Sequence, residues 1–440
     1  MIRMPNLKQP IYVFISGKNW KLSLAELVSF LKVRRYQFKI TDLAKSFFIV
    51  ETEENLDDSL IDDLGGIIKI GKVISHIPSE NVKDAFLQRS KQVQEEIKAN
   101  LSVNCAINEI FKTPIKKCVF GVSLYFEDSR FMRASREMQR FVGSYFKDRL
   151  AAEGTRAKFM GFPKNRQLPQ LTHVEVLKKG LIENSAEILF CIGREQTFIA
   201  STIAVHNPFE FQKRDINRPT QRKIFSIPPR LAKIMVNLSS CATGKILLDP
   251  FCGVGTILQE AMLMKAQTIG IDVNPWCVKA SYANLEWLKE QYNLRETKYT
   301  ILLGDSRHLT NQIGQESVDC IVTEPDLGPA LRHFPTALHA KRIADKLMPL
   351  FCDFLEEAYK TLKDGGKLVL VTPYIKTRSG AFVPMDIKEK AETTGFKIVS
   401  PFEKENFDHI LLVEDLMETS SFVDMESRHK IGREIHIFQK

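Results

Sequence analysis

Short apolar runs alternate with helical patterns along the second half of the chain. The apolar run KLVLVTPYI follows Gly365-Gly366, a helical pattern covers DIKEKAETTG, and the runs FKIVSPF and EIHIFQ come after it. Such alternation is typical of a mostly parallel sheet with helices on both faces. The pattern therefore predicts an α/β domain in this half of the chain.

The first half of the chain has patterns of smaller α+β units. IYVFISG is typical of a strand, and Ser23 and Glu26 have the spacing of a capping box that opens a helix toward Arg34. SFFIVET and IIKIGKV follow as strands, separated by a Gly65-Gly66 turn. These elements predict an α+β module of the ferredoxin-like kind over residues 1–90.

A second α+β unit is predicted over residues 91–205. Helical periodicity covers about 82–99, and later patterns predict a strand at CVFGVSLYF, a helix at REMQRFVGSYFKDRLAAEG, and strands around VEVLKK, EILFCIG and QTFIASTIA. Residues 206–227 are polar, basic and interrupted by prolines, which predicts a linker. Pro228-Pro229 favours a helix start, so the α/β domain is expected to occupy residues 228–440.

The segment LLDPFCGVGTILQEAM, residues 247–262, has the pattern of a ligand-binding turn. An apolar strand pattern ends at Asp249-Pro250, and a helical pattern begins near Thr256, with Gly253 and Gly255 between them. Glycine lets the backbone bend sharply and approach a ligand, and the free N–H groups of a new helix favour an anionic group. The segment therefore predicts a strand–turn–helix binding site.

Two further predicted strands end in acidic residues. TIGID ends at Asp272, nineteen positions after Gly253, where a carboxylate suits a ribose edge, and ILLGD ends at Asp305. Leu258 stands where a dinucleotide fingerprint needs its third glycine, and the Lys-Ser/Thr ending of a P-loop is missing. The alternative is an ordinary βα turn in another doubly wound domain, but the acidic strand ends favour a nucleoside pocket.

The composition is typical of a globular protein with two to four domains. Of the 440 residues, 44% are hydrophobic and 26% are charged. No apolar run approaches the ~18 residues of a membrane span, and MIRMPNLKQP lacks the apolar core of a signal peptide. We therefore expect a cytoplasmic protein without a membrane partner. The eight cysteines have no C-x-x-C pair or zinc spacing, which predicts reduced thiols and no metal.

A formal net charge of +9 indicates an anionic partner. The basic residues concentrate in two stretches, one in the second α+β unit and one before the α/β domain. Charge runs are more often solvated faces than binding sites, but beside a nucleoside pocket they favour nucleic acid. The candidate RNA-binding residues are Arg156, Lys158, Lys164, Arg166, Lys178, Lys179, Arg214 and Arg218.

Four motifs of the second half, DPFCGVGT, GIDVNP, GDSRHL and VTEPDLGP, resemble those of Rossmann-fold S-adenosylmethionine-dependent methyltransferases acting on an exocyclic amine. The chain more narrowly resembles the THUMP-domain tRNA guanosine-N2 methyltransferases. The narrower resemblance rests on YVFISGKNWKLSLAEL, GGIIKIGKV, THVEVLKKGL and RDINRPTQRKIFSIPPRLAKIMVNLS, and it covers nearly the whole chain. It implies that residues 91–205 are a THUMP-like RNA-binding module and that residues 228–440 are the catalytic domain.

The resemblance also implies roles for individual residues. Asp249, Gly253 and Gly255 would hold the methionine end of S-adenosylmethionine, Asp272 would hold its ribose, and Asp305 would hold its adenine. Further candidate cofactor contacts beside them are Phe251, Cys252, Thr256, Val273 and Ser306. The catalytic loop would comprise Glu324, Pro325, Asp326 and Leu327, whose side-chain and backbone oxygens accept the two hydrogens of the target amine.

This loop departs from the family pattern of Asp or Asn, Pro-Pro, then Tyr or Phe. Glu324 keeps a carboxylate but adds one carbon–carbon bond of about 1.5 Å, and a misplacement of about 1 Å can cost roughly a hundredfold in rate. Asp326-Leu327 also lacks the aromatic ring that stacks on the target base. Phe334 and Tyr374 are candidates to supply such a ring from a neighbouring loop.

The sequence thus predicts an enzyme that transfers a methyl group to the N2 amine of a guanosine in tRNA. One alternative is a DNA adenine-N6 or cytosine-N4 methyltransferase, because the family-wide loop serves those amines too. Another is a non-catalytic RNA-binding protein whose altered loop has lost methyl transfer. Some members of the family depend on a small activating partner protein, and the sequence leaves open whether this chain does.

Overall fold

The computed structural model describes residues 9–104, 110–111, 117–162, 168–183, 186–222, 226–408 and 416–440. Two sheets organise this part of the chain, one of eight strands and one of nine. The eight-stranded sheet comes first along the chain and lies before residue 206. The nine-stranded sheet follows residue 245.

Both predicted N-terminal modules contribute to the eight-stranded sheet. Its strands are β1 (Ile11–Ser16), β2 (Phe38–Ala44), β3 (Phe47–Thr52), β4 (Ile67–Pro78), β5 (Lys117–Tyr125), β6 (Arg156–Phe159), β7 (Ala186–Ile192) and β8 (Gln196–Val205). They lie in the order β2-β3-β1-β4-β8-β7-β5-β6. Strand β4 of the first module pairs antiparallel with β8 of the second, from Lys69 opposite Val205 to Pro78 opposite Gln196. The two modules are therefore joined edge to edge by backbone hydrogen bonds.

Within the described ranges, five helices with defined bounds accompany this sheet, and the first starts earlier than predicted. They are α1 (Trp20–Val33), α2 (Ser79–Phe86), α3 (Lys91–Asn104), α4 (Arg130–Ala152) and α5 (His173–Lys178), with a 3₁₀ turn at Asp58–Asp63. Asn19 caps α1 by accepting from the Leu22 amide at 3.3 Å. Ser23 lies inside the helix, and the Glu26 carboxylate accepts instead from the Gly65 and Gly66 amides at 2.7 and 2.6 Å. The predicted capping box at Ser23 is therefore wrong.

Three other predictions for the first half also need correction. The VEVLKK segment is helix α5 and not a strand, because Thr172 and Glu175 form the capping box that opens it. The helix predicted over about 82–99 is two helices, α2 and α3. Strands β2 and β6 were not predicted, since neither segment has a clear alternation of apolar residues.

The predicted linker over residues 206–227 contains a helix. Helix α6 (Pro208–Ile216) begins after Asn207, whose side chain accepts from the Phe209 amide at 3.0 Å. The asparagine cap and the proline in the first turn are ordinary helix-start signals. Helix α7 (Pro229–Leu238) follows and confirms the helix start predicted at Pro228-Pro229.

The nine-stranded sheet confirms the predicted α/β class. Its strands are β9 (Ile246–Asp249), β10 (Gln267–Asp272), β11 (Tyr299–Leu303), β12 (Val318–Thr323), β13 (Leu362–Lys376), β14 (Phe382–Pro384), β15 (Lys397–Ile398), β16 (Ser421–Asp424) and β17 (Ile431–Gln439). The neighbours β11-β10-β9-β12-β13 are parallel throughout. Strand β17 lies antiparallel between β13 and β15, while β14 pairs with β13 and β16 with β17.

Helices cover both faces of this sheet. They are α8 (Thr256–Leu263), α9 (Pro275–Tyr292), α10 (Leu309–Ile313), α11 (Ala337–Thr361) and α12 (Lys388–Thr394), with 3₁₀ turns at Ser306–His308 and Lys404–Asn406. Successive strand residues point to opposite faces. Leu247 packs in the cluster that contains α8 and α9, whereas Leu248 packs with Phe351 and Phe354 of α11.

Helix α7 joins the two halves of the molecule. Leu27 of α1, Met235 of α7 and Leu247 of β9 belong to one buried apolar cluster. The side chain of Asn237 on α7 also donates to the Glu26 carboxylate at 2.8 Å. The halves are thus held together by a shared core with buried polar contacts. Within the described ranges, no helix is both long and apolar enough to cross a membrane.

Candidate active site

The turn between β9 and α8 has the backbone that its glycines predict. Gly253 and Gly255 have φ angles of +53° and +83°, which side-chain-bearing residues rarely adopt. A Cβ atom at Gly255 would lie 3.0 Å from the Ser281 hydroxyl oxygen on α9. Ser281 also donates to the Gly253 carbonyl at 3.0 Å, so α9 supports the turn from behind.

Asp272 ties the end of β10 to this turn. Its Oδ2 accepts from the Gly253 amide at 2.9 Å, and its Oδ1 accepts from the Asn274 amide at 2.8 Å. Each carboxylate oxygen can accept more than one hydrogen bond. Asp272 therefore holds the backbone of the turn and keeps acceptor capacity for a ligand hydroxyl.

Asp249 ends β9 and is almost fully buried. Its Oδ1 accepts from the Thr323 hydroxyl at 2.7 Å and from the Phe251 amide at 3.2 Å. Burial raises the pKa of Asp249 to about 7, and these two hydrogen bonds offset only part of that effect. A cationic group in the cavity would lower this pKa and stabilise the carboxylate.

The raised pKa of Asp249 predicts a pH-dependent stability. Between its ordinary value of 3.8 and the folded value of about 7, the native state binds a proton that the unfolded state has lost. The contribution of Asp249 to the free energy of unfolding therefore falls as the pH rises from about 4 to about 7. The decrease is at most on the order of 4 kcal/mol. Asp249→Asn keeps a side-chain oxygen that can accept from both donors. As the pH rises from about 4 to about 7, the melting temperature of this variant should increase relative to that of wild type. A difference in melting temperature between the variant and wild type that stays constant from pH 4 to 8 would contradict the raised pKa of Asp249.

The candidate active-site cavity, of about 460 Å³, opens beside the turn, at the carboxyl ends of β9, β10 and β12. Ligands of open α/β sheets bind beyond this edge. Most of the predicted cofactor and catalytic residues line the cavity together. They are Asp249, Phe251, Cys252, Gly253, Thr256, Asp272 and Val273, with Glu324, Pro325, Asp326 and Leu327 from the loop after β12.

Three predicted cofactor residues do not line this cavity. Gly255 shapes the turn, and Ser306 is buried. The Asp305 carboxylate accepts from the Arg307 guanidinium at 2.6 Å and from the Arg307 amide at 3.0 Å. Arg307 lowers the pKa of Asp305 despite partial burial. The adenine role predicted for Asp305 therefore has no support from the walls of the cavity.

Some wall residues were missed in the sequence analysis. Asn274 caps α9 by accepting from the Trp276 amide at 2.9 Å, and Arg222 lines the cavity although it lies in the predicted linker. The Asn-Pro pair at the start of α9 is a helix-start signal that indicates this position. Other wall residues not singled out are Ser226, Ile227, Val254, Ile257, Cys277, Gly328, Pro329 and Ala330.

Glu324 makes a bidentate ion pair with Arg433. The guanidinium Nε donates to Oε2 at 2.5 Å, and Nη2 donates to Oε1 at 3.2 Å. The Glu324 side chain is 9% exposed and the Arg433 side chain is 15% exposed. Burial alone would lower the pKa of Arg433, but Glu324 outweighs it and the net shift is upward. Arg433 lies on β17, 109 residues further along the chain, so no local sequence signal indicates this pair.

The rest of the loop has no aromatic ring over the cavity. The Asp326 side chain is exposed and accepts from the Gly328 amide at 3.0 Å. Leu327 is half-buried and packs against the apolar cluster shared by the two halves. Tyr374 stacks on Phe382 with ring centroids 5.0 Å apart, and neither Tyr374 nor Phe334 lines the cavity.

The candidate RNA-binding residues fall into three groups. Arg156, Lys158, Lys178 and Lys179 are exposed. Lys164 and Arg166 lie outside the described residues. Arg214 and Arg218 are buried, at 3% and 4% exposure, so the prediction that they contact RNA is wrong. Their partners are internal: Arg214 binds the Glu260 carboxylate at 2.6 Å and Arg218 donates to the Thr256 hydroxyl at 2.7 Å.

Cys252 lies in the wall of the cavity. Cys252 is buried, and burial raises the pKa of its thiol well above the ordinary value. A thiol in such surroundings is an inert packing group. Over the ranges that the structure describes, no group of three or more His, Cys, Asp or Glu side chains is arranged to hold a metal ion.

Comparisons with known proteins show similarity to methyltransferases. Residues 217–397 match the UPF0020 family model, an RMKL-like methyltransferase domain. The tRNA (guanine(10)-N2)-dimethyltransferase of Methanothermobacter thermautotrophicus is 25% identical over 367 residues, covering 82% of this chain and 88% of the relative. The enzyme of the same name from Pyrococcus abyssi is 30% identical over 232 residues, covering 53% of this chain and 61% of the relative.

A solved structure extends the similarity to the whole fold. The crystal structure of TrmN from Thermus thermophilus superposes with a TM-score of 0.52 at 14% identity, covering 98% of this chain and 99% of that one. At this identity the likeness concerns the fold alone. The chain therefore shares its fold with TrmN along nearly its whole length, and residues 217–397 carry the similarity to the methyltransferase-domain family model.

Proposed function

We propose that this protein transfers a methyl group from S-adenosylmethionine to the N2 amine of a guanosine in tRNA. The observation that carries the proposal is the shared cavity at one edge of the sheet. Asp249, Asp272 and the glycine turn meet the loop of residues 324–327 there. The relatives from M. thermautotrophicus and P. abyssi are tRNA (guanine(10)-N2)-dimethyltransferases by name, which supports the same reaction and substrate.

The residues at the turn suit S-adenosylmethionine. Asp249 is a buried carboxylate that an ammonium group would stabilise. Asp272 has acceptor capacity for a ribose hydroxyl, and Gly253 lets the backbone approach the ligand. We propose that these three residues hold the methionine and ribose parts. The cofactor supplies an electrophilic methyl group, whose transfer breaks a carbon–sulfur bond, forms a carbon–nitrogen bond and releases one proton from the amine.

Glu324 and the Pro325 carbonyl are proposed to orient the target amine. An amine conjugated to a base ring is a weak nucleophile, and acceptors for its two hydrogens turn its lone pair toward the methyl group. Arg433 fixes both oxygens of Glu324, so the longer side chain is held in one orientation. A target base inside a helix must first leave the stack to reach such a pocket.

The first half of the chain is proposed to bind the body of the tRNA, as a ferredoxin-like module over residues 1–90 followed by a THUMP-like module over residues 91–205. Arg156 and Lys158 are exposed on β6, and Lys178 and Lys179 are exposed at the end of α5. Exposed cations of this kind contact phosphates and make binding salt-dependent. Helix α7 connects this half to the catalytic domain through the shared core.

Transfer of labelled methyl to unmodified tRNA and to duplex DNA at equal salt tests this proposal. We expect wild type to label tRNA strongly and DNA weakly. Asp272→Ala removes the acceptor for two backbone amides and for the ribose, so it should abolish both cofactor binding and transfer. Asp345→Ala removes an exposed acid on α11 and is the matched control. Preferential labelling of DNA, or cofactor binding without any transfer, would contradict the proposal.

A further inference from the structure

The segment that follows the candidate catalytic loop forms a surface with two neighbouring segments. Pro335 accepts from the Arg378 amide at 2.9 Å, and Lys430 accepts from the Lys376 amide at 2.8 Å through backbone carbonyls. Residues 331–336, 374–384 and 428–431 are thus adjacent. Side chains of all three segments contribute to a small apolar cluster that supports them from below, formed by Leu331, Ile375, Val383 and Ile431 with Ala340, Ile343 and Leu347 of α11.

The outer side of these segments combines aromatic rings with cations. The ammonium groups of Lys376 and Lys430 lie 5.5 and 5.9 Å from the ring centroid of Phe334. Phe382 is 44% exposed, and its ring stacks on Tyr374. We use the name aromatic–basic surface for Arg332, Phe334, Lys376, Arg378, Phe382 and Lys430.

No ion pair among the described residues neutralises the charge of this surface. The three segments contain no Asp or Glu. Among the described residues, Arg332, Lys376, Arg378 and Lys430 make no ion pair, whereas the nearby Arg428 pairs with Glu426 at 3.0 Å. Four free cations around two rings are the combination that binds unpaired nucleic acid, with phosphates on the cations and bases on the rings.

The surface also lies next to the cavity. Ala330 is in the cavity wall, and Arg332 follows two residues later. A Cβ atom at Gly328 of the candidate catalytic loop would lie 3.7 Å from Ile431, the residue after Lys430. A nucleotide strand whose base enters the cavity would therefore continue over this surface.

We propose that the aromatic–basic surface binds the unpaired RNA nucleotides that flank the methylated guanosine. This inference rests on the proposed function. The rings of Phe334 and Phe382 stack on flanking bases, while the four cations contact their phosphates. These rings act on the flanking bases outside the cavity, whereas Leu327 offers the target base an apolar wall inside it.

Direct binding of unmodified tRNA, measured without methyl transfer, tests the surface. Lys376→Glu/Lys430→Glu should raise the Kd at least about tenfold at physiological salt and should lower the slope of log Kd against log salt by about 1.4, the value for two phosphate contacts on a single strand. Phe334→Ala should weaken binding about fivefold or more, because each stacked base contributes measurably to affinity. Arg295→Glu/Lys298→Glu, beside β11 at the far edge of the sheet, changes the net charge equally and should leave the Kd unchanged.

The outcomes separate the two proposals. If Lys376→Glu/Lys430→Glu binds tRNA as tightly as wild type, the surface is wrong, and an acidic protein becomes the partner to seek there. If wild type binds tRNA but transfers no methyl group, the proposed reaction is wrong, while loss of binding in the variants still supports the surface. Unchanged melting temperatures of the variants exclude unfolding as the cause of weaker binding.

Discussion

Glu324→Ala is expected to lower the rate of methyl transfer by roughly a hundredfold or more, because the target amine loses an acceptor that fixes its geometry. The affinity for S-adenosylmethionine should stay close to that of wild type, since the cofactor contacts proposed here are at the end of β9, in the turn after it and at the end of β10. The change also leaves the largely buried Arg433 guanidinium without its carboxylate. We therefore expect a loss of stability on the order of 3 kcal/mol, which melting curves would show.

A double variant separates catalysis from stability. Glu324→Ala/Arg433→Met removes both charges, so most of the lost stability should return. Methyl transfer should remain lost, because the amine still lacks its acceptor. If the double variant recovers transfer together with stability, Glu324 is a structural ion-pair partner and the catalytic role is wrong. Arg433→Met alone should reduce kcat through a mobile Glu324 while cofactor affinity is kept.

Arg214→Ala should destabilise the protein by about 3–5 kcal/mol, because it leaves the Glu260 carboxylate buried without its main partner. Such a loss lowers the melting temperature by roughly 10 °C for a domain of this size. Lys233 lies 3.4 Å from Glu260 and compensates only in part. The affinity of the folded fraction for tRNA should be unchanged, since Arg214 does not reach the surface.

Lys178→Ala is the matched control for this prediction. Its side chain is exposed at the end of α5, so it should leave the melting temperature unchanged and weaken tRNA binding modestly. Arg214→Ala with a wild-type melting temperature and weaker tRNA binding would contradict the buried position of Arg214. The two variants together distinguish a cation that packs from a cation that binds.

The turn between β9 and α8 could be predicted because the residues that form it are close together in the sequence. The strand end at Asp249, the two glycines and the start of α8 are adjacent in sequence, and Asp272 follows one helix later. Their positions come from short-range rules for turns and helix starts. The parallel sheet was predictable for the same reason, since each strand and helix has its own pattern.

The contacts that tune the site could not be predicted because they depend on tertiary pairing. Arg433 reaches Glu324 only because β17 runs antiparallel beside β13. The charge of Arg214 suggested a surface residue, whereas its position on helix α6 places its guanidinium against the buried carboxylate of Glu260. The spacing of Ser23 and Glu26 matched a capping box, but the fold uses Glu26 to bind backbone amides 39 and 40 residues away. A charged residue or a short motif indicates which interactions a side chain can make. Which residue it contacts depends on the tertiary packing.

The most direct test of the central claim is nucleoside analysis of tRNA after transfer. Unmodified tRNA is incubated with labelled S-adenosylmethionine and wild-type protein, Glu324→Ala or Glu324→Ala/Arg433→Met, then digested and separated. The account predicts labelled N2-methylguanosine with wild type and none above background with either variant. Label only in nucleosides other than N2-methylated guanosines, or N2-methylguanosine at the wild-type rate from Glu324→Ala, would contradict it.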